Sequence, residues 1–342
     1  MKKLLFNLFP TQVSNKMSSV KKSMMFILCL LFCIHYSVSL QAQSFAQIKS
    51  LAESGNVEAQ FYLGNLYENG KGCEKDIHKA IYWYEKSLAN GNKHVAPHLA
   101  IVYYNTNEHS KAYPLFLSIA NSTEKIYVDD GMLGLSQFFV GLYNLQGLGI
   151  NKDEKSGIAW LEKAKANGDD NAFIVLGTCY LKGIGTPKNP TKSFELYKEG
   201  FERFKDKQEF AIKLATCYLE GYGCVQDLKK VYPLVENIAN GTACTLSEQW
   251  KATAQLILGV AYYKDTTIEE HYNKAFYWLT KVAESNNAIE KKKASALYWL
   301  QRCYRFGRGV AKDVNKADEL VKQYSGYDSD EPSLIELLEQ KN

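Results

Sequence analysis

Small, apolar and aromatic residues recur along most of the chain at helical spacing. Near the start of the pattern they occupy Ala59, Leu63 and Tyr67, and spacings of four place them on one helix face. A second helical pattern follows, and a short glycine-containing turn joins the two within Ala59–Gly91. This stretch therefore predicts one helix-turn-helix unit.

The same layout returns until near the end of the chain. Each copy can be aligned through the residue pair that opens its second helix, and successive pairs lie 32 to 45 residues apart. Recurrence at this period indicates a stacked array of structural repeats. We therefore predict an all-α fold, an α/α solenoid of about seven helix-turn-helix repeats. The pairs are Lys79-Ala80, Lys111-Ala112, Ser156-Gly157, Lys192-Ser193, Lys230-Val231, Lys274-Ala275 and Lys316-Ala317.

Five of the turns have the pattern Gly-x-Gly. Glycine after a helix adopts positive φ without strain, so these residues are predicted to end the first helix and reverse the chain. A phosphate-binding loop would need a preceding strand and Gly-x-Gly-x-x-Gly spacing, and the sequence has neither. Two units lack the glycines and turn through Asn105–Asn107 and Lys264–Thr267. The five turns are Gly70/Gly72, Gly147/Gly149, Gly183/Gly185, Gly221/Gly223 and Gly307/Gly309.

A further glycine recurs inside the first helix of several units, as at Gly64 and Gly177. Glycine inside a helix costs about 1 kcal/mol relative to alanine, so its recurrence predicts close approach of the paired helix. Second helices carry a tryptophan four residues after the aligned position, at Trp83, Trp160 and Trp278. We expect these rings to pack across the helix pair as core residues.

Both ends of the chain differ from the repeats. Lys21 and Lys22 precede the apolar run Met24–Ile34, and small or polar residues follow up to Ala42, a pattern typical of a secretory signal. We predict a cleaved signal over residues 1–42, with Met17 as an alternative start, and an uncleaved membrane anchor remains the alternative. Residues 43–58 and 326–342 are predicted to form terminal capping helices around the repeats at 59–325. The expected location is extracytoplasmic, either periplasmic or secreted.

Charge and motif content narrow the possible functions. The net charge is +4, and basic and acidic residues alternate along the chain, so no basic block indicates nucleic-acid binding. No metalloprotease, hydrolase, nucleotide-binding or calcium-binding motif is present. His94 and His98 are four residues apart, but the sequence offers no third metal ligand beside them. We therefore predict no enzyme activity, no catalytic residue and no cofactor.

Six cysteines follow the predicted signal. An oxidising compartment and an even count permit disulfides, and disulfides between neighbouring helices are one interpretation. Most of the cysteines, however, occupy recurring slots that other units fill with apolar residues, so small buried thiols are the alternative. The six are Cys73, Cys179, Cys217, Cys224, Cys244 and Cys303.

The repeated pattern Ala-x-x-x-Leu-Gly-x-x-Tyr-x-x-Gly-x-Gly, followed by Lys-Ala and Trp-Tyr-x-Lys-Ala, resembles the Sel-one-like repeat family of the tetratricopeptide superfamily. The resemblance covers about residues 45–325 and is close over Ala59–Gly91 and Gly177–Gly200. It implies a right-handed superhelix, a secreted bacterial type of protein, and a concave surface of first helices that binds a protein or peptide. In the tetratricopeptide register that surface includes Asn65, Glu68, Asn69, Leu142, Gln146, Thr178, Lys182, Thr216, Glu220, Arg302 and Arg305.

Three functional hypotheses follow. The first is a non-catalytic extracytoplasmic scaffold whose partner is a protein or peptide, with no nucleic acid and with membrane contact only if the N-terminal segment is uncleaved. The second is a hydrolase acting on cell-wall or β-lactam substrates, which the family resemblance suggests. The third is a membrane-tethered structural element.

Overall fold

The computed structural model describes residues 45–129, 131–241 and 248–324, and within these ranges the chain is helical and has no strand. The predicted signal segment, the segment at 326–342 and Cys244 lie outside the described residues. The helices are α1 (residues 45–53), α2 (Val57–Asn69), α3 (Ile77–Ala89), α4 (Val95–Asn105), α5 (His109–Ala120), α6 (Lys125–Asp129), α7 (Met132–Gln146), α8 (Glu154–Ala166), α9 (Asp170–Lys182), α10 (Pro190–Arg203), α11 (Gln208–Glu220), α12 (Leu228–Ala239), α13 (Glu248–Lys264), α14 (Glu270–Ala283), α15 (Glu290–Phe306) and α16 (Val314–Tyr324).

The predicted seven helix pairs are all present, which confirms the all-α solenoid class. Repeats 1 to 7 are α2–α3, α4–α5, α7–α8, α9–α10, α11–α12, α13–α14 and α15–α16, and the two helices of each pair pack against each other. The chain forms two compact units, Met1–Tyr127 and Val128–Asn342, divided within α6. Repeats 1 and 2 belong to the first unit and repeats 3 to 7 to the second. The helix predicted before the array is observed at 45–53, and repeat 1 begins at Val57.

Capping residues in the sequence set where many of the helices begin. The side chains of Asn56 and Asp169 accept a hydrogen bond from the third residue of α2 and α9, at 2.8 Å in both cases. Asp76, Asp153 and Asn189 do the same for α3, α8 and α10 at 3.0 Å. Each bond satisfies one of the backbone N–H groups that a helix start leaves without an intrahelical acceptor.

The glycine inside the first helix accommodates one bulky residue of the second. A Cβ atom added to Gly64 would lie 2.6 Å from the ring of Tyr84, and one added to Gly259 would lie 2.7 Å from Leu279. Tyr84 and Leu279 are both fully buried. The close approach predicted from these glycines is therefore confirmed.

The residue that meets the glycine is the one after the predicted tryptophan. Trp83 and Trp278 are buried, as expected, whereas Trp160 is half-buried with the Lys163 ammonium 3.9 Å from its ring centroid. Successive residues of a helix are rotated by about 100° about its axis. The residue after the tryptophan therefore points at the paired helix, whereas the tryptophan points to one side of it. The tryptophans thus flank the helix contact instead of forming its centre.

The two glycines of each Gly-x-Gly turn have different roles. The first caps the first helix in the left-handed conformation, with φ between 66° and 80°, as predicted. The second also has positive φ, and in repeats 4, 5 and 7 it packs on the preceding repeat. Gly185, Gly223 and Gly309 contact backbone carbonyl groups near the start of α8, α10 and α14 so closely that no Cβ would fit.

The two glycine-free turns use side chains instead. In repeat 2, Asn107 takes positive φ (60°), a conformation that asparagine tolerates better than most residues. In repeat 6, Asp265 is buried and accepts hydrogen bonds from the Thr267 N–H at 3.1 Å and the Tyr232 hydroxyl at 2.8 Å. His271 Nδ1 lies 3.1 Å from the same carboxylate.

A tyrosine of the first helix and the aligned lysine of the second meet a glutamate of the preceding repeat. Lys192 Nζ lies 4.0 Å from the ring centroid of Tyr180 and 3.2 Å from Glu162 Oε1. The Tyr180 hydroxyl donates to the same glutamate at 3.1 Å. The lysine that aligns the repeats in the sequence therefore links neighbouring repeats in the structure.

No disulfide joins the described cysteines, Cys73, Cys179, Cys217, Cys224 and Cys303, which favours the apolar-slot interpretation for these five. Cys179, Cys217 and Cys303 are buried. Burial raises the pKa of Cys217 and of Cys303 to about 12. Among the described helices, none combines the length and the apolar character needed to cross a membrane.

Candidate interaction surface

First helices of successive repeats are neighbours at the end of the second unit. There α13 contacts both α11 and α15, so three first helices lie next to one another. Glu220 ends α11, Lys264 ends α13, and Trp299 and Arg302 lie on one face of α15. We call these four residues the first-helix row.

Direct contacts join the members of the first-helix row. Lys264 Nζ lies 3.2 Å from Glu220 Oε1 and 3.3 Å from Oε2, which links α11 to α13. The same ammonium lies 5.6 Å from the ring centroid of Trp299, and the Arg302 guanidinium lies 5.7 Å from it on α15. Both distances fall within the range of cation–π attraction. The four groups therefore form one connected arrangement across three repeats.

The row is partly accessible. The side chains of Glu220 and Lys264 are 20% and 22% exposed, and Arg302 is half-buried, whereas Trp299 is buried beneath them. Arg302 Nη1 donates to the Tyr298 hydroxyl at 3.3 Å, which fixes one end of the guanidinium. A carboxylate, an ammonium and a guanidinium are thus held on a rigid helical support before any partner binds.

A buried lysine lies on the same face of α15 as Trp299 and Arg302. Lys292 is 5% exposed, and burial lowers the pKa of its ammonium to about 8. Its spacing of seven residues from Trp299 places it two turns towards the start of the helix. Burial therefore disfavours the charged form of an ammonium that lies two turns from the row.

The chemistry of the row is that of recognition. Its charged groups can pair with opposite charges or with the polar backbone of an extended segment, and the buried indole supports them from below. Among the residues that the structure describes, no group of three or more His, Cys, Asp or Glu side chains is arranged to hold a metal ion. The His98 ring packs against Phe61, with ring centroids 5.2 Å apart and ring planes tilted by 49°.

The structure brings together two of the predicted partner-binding residues in the row, Glu220 and Arg302. Two others lie inside the fold, since Leu142 is 4% and Thr216 is 2% exposed. The Thr216 hydroxyl donates to the Ile212 carbonyl within its own helix at 2.9 Å. Both positions are buried in the fold, so they offer no surface to a partner.

The remaining predicted residues are accessible to different degrees. In the second unit Gln146 and Lys182 are exposed, Thr178 lies 3.1 Å from the Tyr197 hydroxyl, and Arg305 pairs with Asp318 at 2.6 Å. In the first unit the Tyr84 hydroxyl donates to Glu68 at 2.6 Å, and the Asn69 amide donates to the Asn65 carbonyl at 2.9 Å. These side chains lie along separate helices rather than in one cluster.

Sequence reasoning missed Lys264 and Trp299. The sequence pattern places Lys264 in the glycine-free turn of its repeat. No other first helix has a tryptophan at the position that corresponds to Trp299. Helical spacing carried a usable signal, because Lys292, Trp299 and Arg302 fall on one face of α15. A search for polar and aromatic residues on that face would have found the tryptophan.

Stacked helix hairpins with a polar row on neighbouring first helices define the chain as a helical-repeat scaffold. The Sel1 repeat family model matches residues 57–92, 134–169, 174–203, 209–230, 252–287 and 294–317, more than half of the chain. The chain therefore belongs to the Sel1 repeat family, whose repeats generally mediate protein–protein interaction. Repeat 2, which lacks the glycine turn, falls outside the matched ranges although it forms a helix pair.

Known proteins resemble the chain over parts of their length. An uncharacterised Sel1-like repeat protein of Schizosaccharomyces pombe is 24% identical over 42% of this chain and 23% of its own length. The HRD3B component of an ERAD-associated E3 ubiquitin-protein ligase of Arabidopsis thaliana is 24% identical over 47% of this chain and 33% of its own. The chain thus spans a third or less of these relatives.

A solved structure shows the same fold. The Sel1 repeat protein from Oxalobacter formigenes has a TM-score of 0.54, at 23% sequence identity, over 83% of this chain and 76% of its own.

Proposed function

We propose that this chain is a non-catalytic, extracytoplasmic scaffold that binds a protein or peptide partner through its first helices. The first-helix row carries the proposal, because contacts between three repeats hold Glu220, Lys264 and Arg302 in place before binding. Preorganised side chains lose little conformational freedom on binding, which favours affinity.

The composition of the row suits a protein partner. Arginine is enriched among the residues that dominate binding energies, mainly at well-packed positions near the centre of an interface. In the row, the Trp299 ring supports two cations and keeps them near the surface. Exposed first-helix residues extend the proposed surface within each unit, namely Asn69 in the first and Gln146 and Lys182 in the second.

Affinity capture tests the binding role. The purified chain is used to capture partners from the native envelope, and the captured proteins are identified by mass spectrometry. A variant with Glu220→Ala, Lys264→Ala and Arg302→Ala should lose at least one partner that the wild type retains.

A matched control carries Lys198→Ala and Lys229→Ala, two exposed lysines on second helices of the same unit. It should keep that partner. Equal capture by all three proteins, or no capture at several salt concentrations, would contradict the proposal.

The proposed location rests on the sequence pattern of residues 1–42. N-terminal sequencing of the exported chain should find Gln43 or a residue close to it as the first residue. An intact N-terminal segment in the membrane fraction would instead indicate a tethered protein, and a chain retained in the cytoplasm would contradict export.

A further inference from the structure

A cavity of about 350 Å³ lies at the junction of repeats 4 and 5, away from the first-helix row. It is lined by the end of α10, the connection that follows α10, the start of α11 and the end of α12. Glu220 and Gln208 are at opposite ends of α11, about 18 Å apart along the helix axis. We refer to this cavity as the junction pocket, and its lining is Phe201, Lys205, Lys207, Gln208, Ala211, Leu234, Asn237 and Ile238.

Apolar side chains form the floor and walls of the junction pocket. Ala211 and Ile238 are buried at its base, and the partly buried Phe201 and Leu234 stand at its sides. Ligand pockets in proteins have volumes of about 300 to 1,000 Å³, so this one is at the small end of that range. It fits one large apolar side chain better than a whole drug-sized molecule.

Aromatic packing fixes the connection that borders the pocket. The Phe204 ring stacks on Phe210 at a centroid distance of 5.8 Å and meets Phe173 edge-on at 5.5 Å. Phe173 and Phe210 are fully buried. Because the connection is anchored beside Lys205 and Lys207, the pocket exists before any ligand enters.

The rim of the pocket is basic. Lys207 pairs with Asp170 at 2.6 Å, whereas Lys205 is exposed and has no ion pair with any described residue. The start of α11 has a partial positive charge, and its capping residue Lys207 has no side-chain acceptor for the helix N–H groups, while Glu209 lies in the first turn. The equivalent positions of α2 and α9 are capped by Asn56 and Asp169. An anionic group is therefore favoured at the rim.

An unsatisfied acceptor lines the same cavity. The side-chain oxygen Oε1 of Gln208 is buried and, among the described residues, has no hydrogen-bond partner. A buried acceptor without a partner costs free energy, so a ligand that supplies a donor gains affinity. The backbone N–H of an extended peptide is such a donor.

We propose that the junction pocket binds an acidic peptide segment of a partner protein, with one large apolar side chain inserted between Phe201, Leu234 and Ile238. A carboxylate next to that side chain lies near Lys205, and a rotation of the Gln208 side chain brings Oε1 to a peptide N–H. This site goes beyond the first-helix row, since it uses other residues and can be occupied independently of it.

Labelled peptides test the proposal directly. The probe is a fluorescent, end-blocked pentapeptide with phenylalanine between two pairs of aspartates, and the control peptide has serine in the central position. Fluorescence anisotropy with the purified chain should give a Kd of about 0.1 mM for the phenylalanine peptide. The serine peptide should bind at least about tenfold more weakly. Equal affinity for the two peptides overturns the proposal.

Protein variants locate the binding. Lys205→Glu should weaken binding of the phenylalanine peptide about fivefold, more at low salt than at high salt. Lys198→Glu, an exposed charge reversal on α10, should leave the Kd unchanged. Ala211→Leu fills the floor and should abolish binding, with circular dichroism checking that the variant folds. If that variant unfolds, Lys205→Glu and the peptide pair decide the question alone.

Two further measurements distinguish the junction pocket from a different binding site on the chain and from a different ligand. The triple variant of the first-helix row should bind the phenylalanine peptide as well as the wild type does. Loss of binding in that variant, or an unchanged Kd in Lys205→Glu, shows that the peptide binds elsewhere and overturns the proposal. Tighter binding of octanoate than of the peptide would assign the pocket to an acyl chain and would also overturn it.

Discussion

Repeats 5 and 6 close the same kind of helix pair by different means. The turn of repeat 5 relies on Gly221 and Gly223, which both take positive φ, and Gly223 also approaches the Pro190 carbonyl closely. The turn of repeat 6 has no glycine, and the buried Asp265 carboxylate holds it through hydrogen bonds. The comparison shows that the fold requires a chain reversal at this position, and that either backbone freedom or side-chain hydrogen bonding provides it.

The largest expected effect comes from adding a methyl group where repeat 5 contacts repeat 4. In Gly223→Ala the new Cβ would overlap the Pro190 carbonyl oxygen, in a left-handed backbone conformation. We expect the free energy of unfolding to fall by about 3 kcal/mol, from conformational strain plus displacement of the neighbouring repeat. Urea denaturation followed by circular dichroism measures the change.

Gly168→Ala provides the control for that prediction. Gly168 also has positive φ, but a Cβ there would have no atom within 4 Å. Only the conformational cost remains, so stability should fall by about 1 kcal/mol. Similar losses in the two variants would mean that the contact between repeats contributes nothing.

The glycine-free turn should depend on its carboxylate. In Asp265→Asn one side-chain oxygen is replaced by an NH₂ group, which cannot accept the hydrogen bond from Tyr232. We expect a loss of about 2 kcal/mol in the free energy of unfolding, measured by urea denaturation.

Asp227→Asn is the matched control in repeat 5. Asp227 precedes α12 but forms no capping hydrogen bond through its side chain, and its pairing with Lys230 is at the surface. Its replacement should change stability by less than about 0.5 kcal/mol. A loss as large as that of Asp265→Asn would show that the position, and not the buried network, matters.

Acidification should remove the contribution of the Asp265 carboxylate to the free energy of unfolding. Burial alone would raise the pKa of this carboxyl, but hydrogen bonds from Thr267 and Tyr232 and the nearby His271 outweigh burial and lower it. A lowered folded-state pKa stabilises the protein above the unfolded value of about 3.9, and that stabilisation is lost as the pH falls through the folded value. The stability difference between wild type and Asp265→Asn should therefore shrink as the pH falls below about 5 and through the folded value. A constant difference would contradict this assignment.

The smallest effect is expected for the contact that Lys192 makes with the preceding repeat. Glu162→Ala removes the carboxylate that Lys192 and Tyr180 contact across repeats 3 and 4. Because these side chains are about a third exposed, solvent screens the pair, and the loss should be about 0.5 to 1 kcal/mol. Glu199→Ala, which removes an exposed pair within α10, should cost less. The reverse order would show that the link between repeats adds no stability.

The backbone design was predictable because each of its devices is local. Three features recur at fixed positions within a repeat: a glycine after the first helix, the residue pair that opens the second helix, and a glycine inside the first helix. The sequence alone therefore placed the seven helix pairs. That Tyr84, and not Trp83, contacts the glycine of the first helix was not predictable in the same way. It depends on how the second helix is rotated about its axis, which packing decides.

The binding features were harder to predict because they combine distant residues. Lys264 meets Glu220 and Trp299 only when three repeats stack, and the 44 residues between Glu220 and Lys264 span a whole repeat. Thr216 was assigned to a surface by analogy of register, but the adjacent first helices bury it. The junction pocket likewise has no signature within any single helix.

The glycine that docks on the preceding repeat has a consequence for how such an array can change over generations. It contacts the backbone carbonyls of Glu154, Pro190 and Tyr272, three residues with nothing in common except their peptide groups. A close contact with peptide groups can recur at each junction beside a different residue, so this contact by itself needs no co-adapted side chain when a unit is duplicated or deleted.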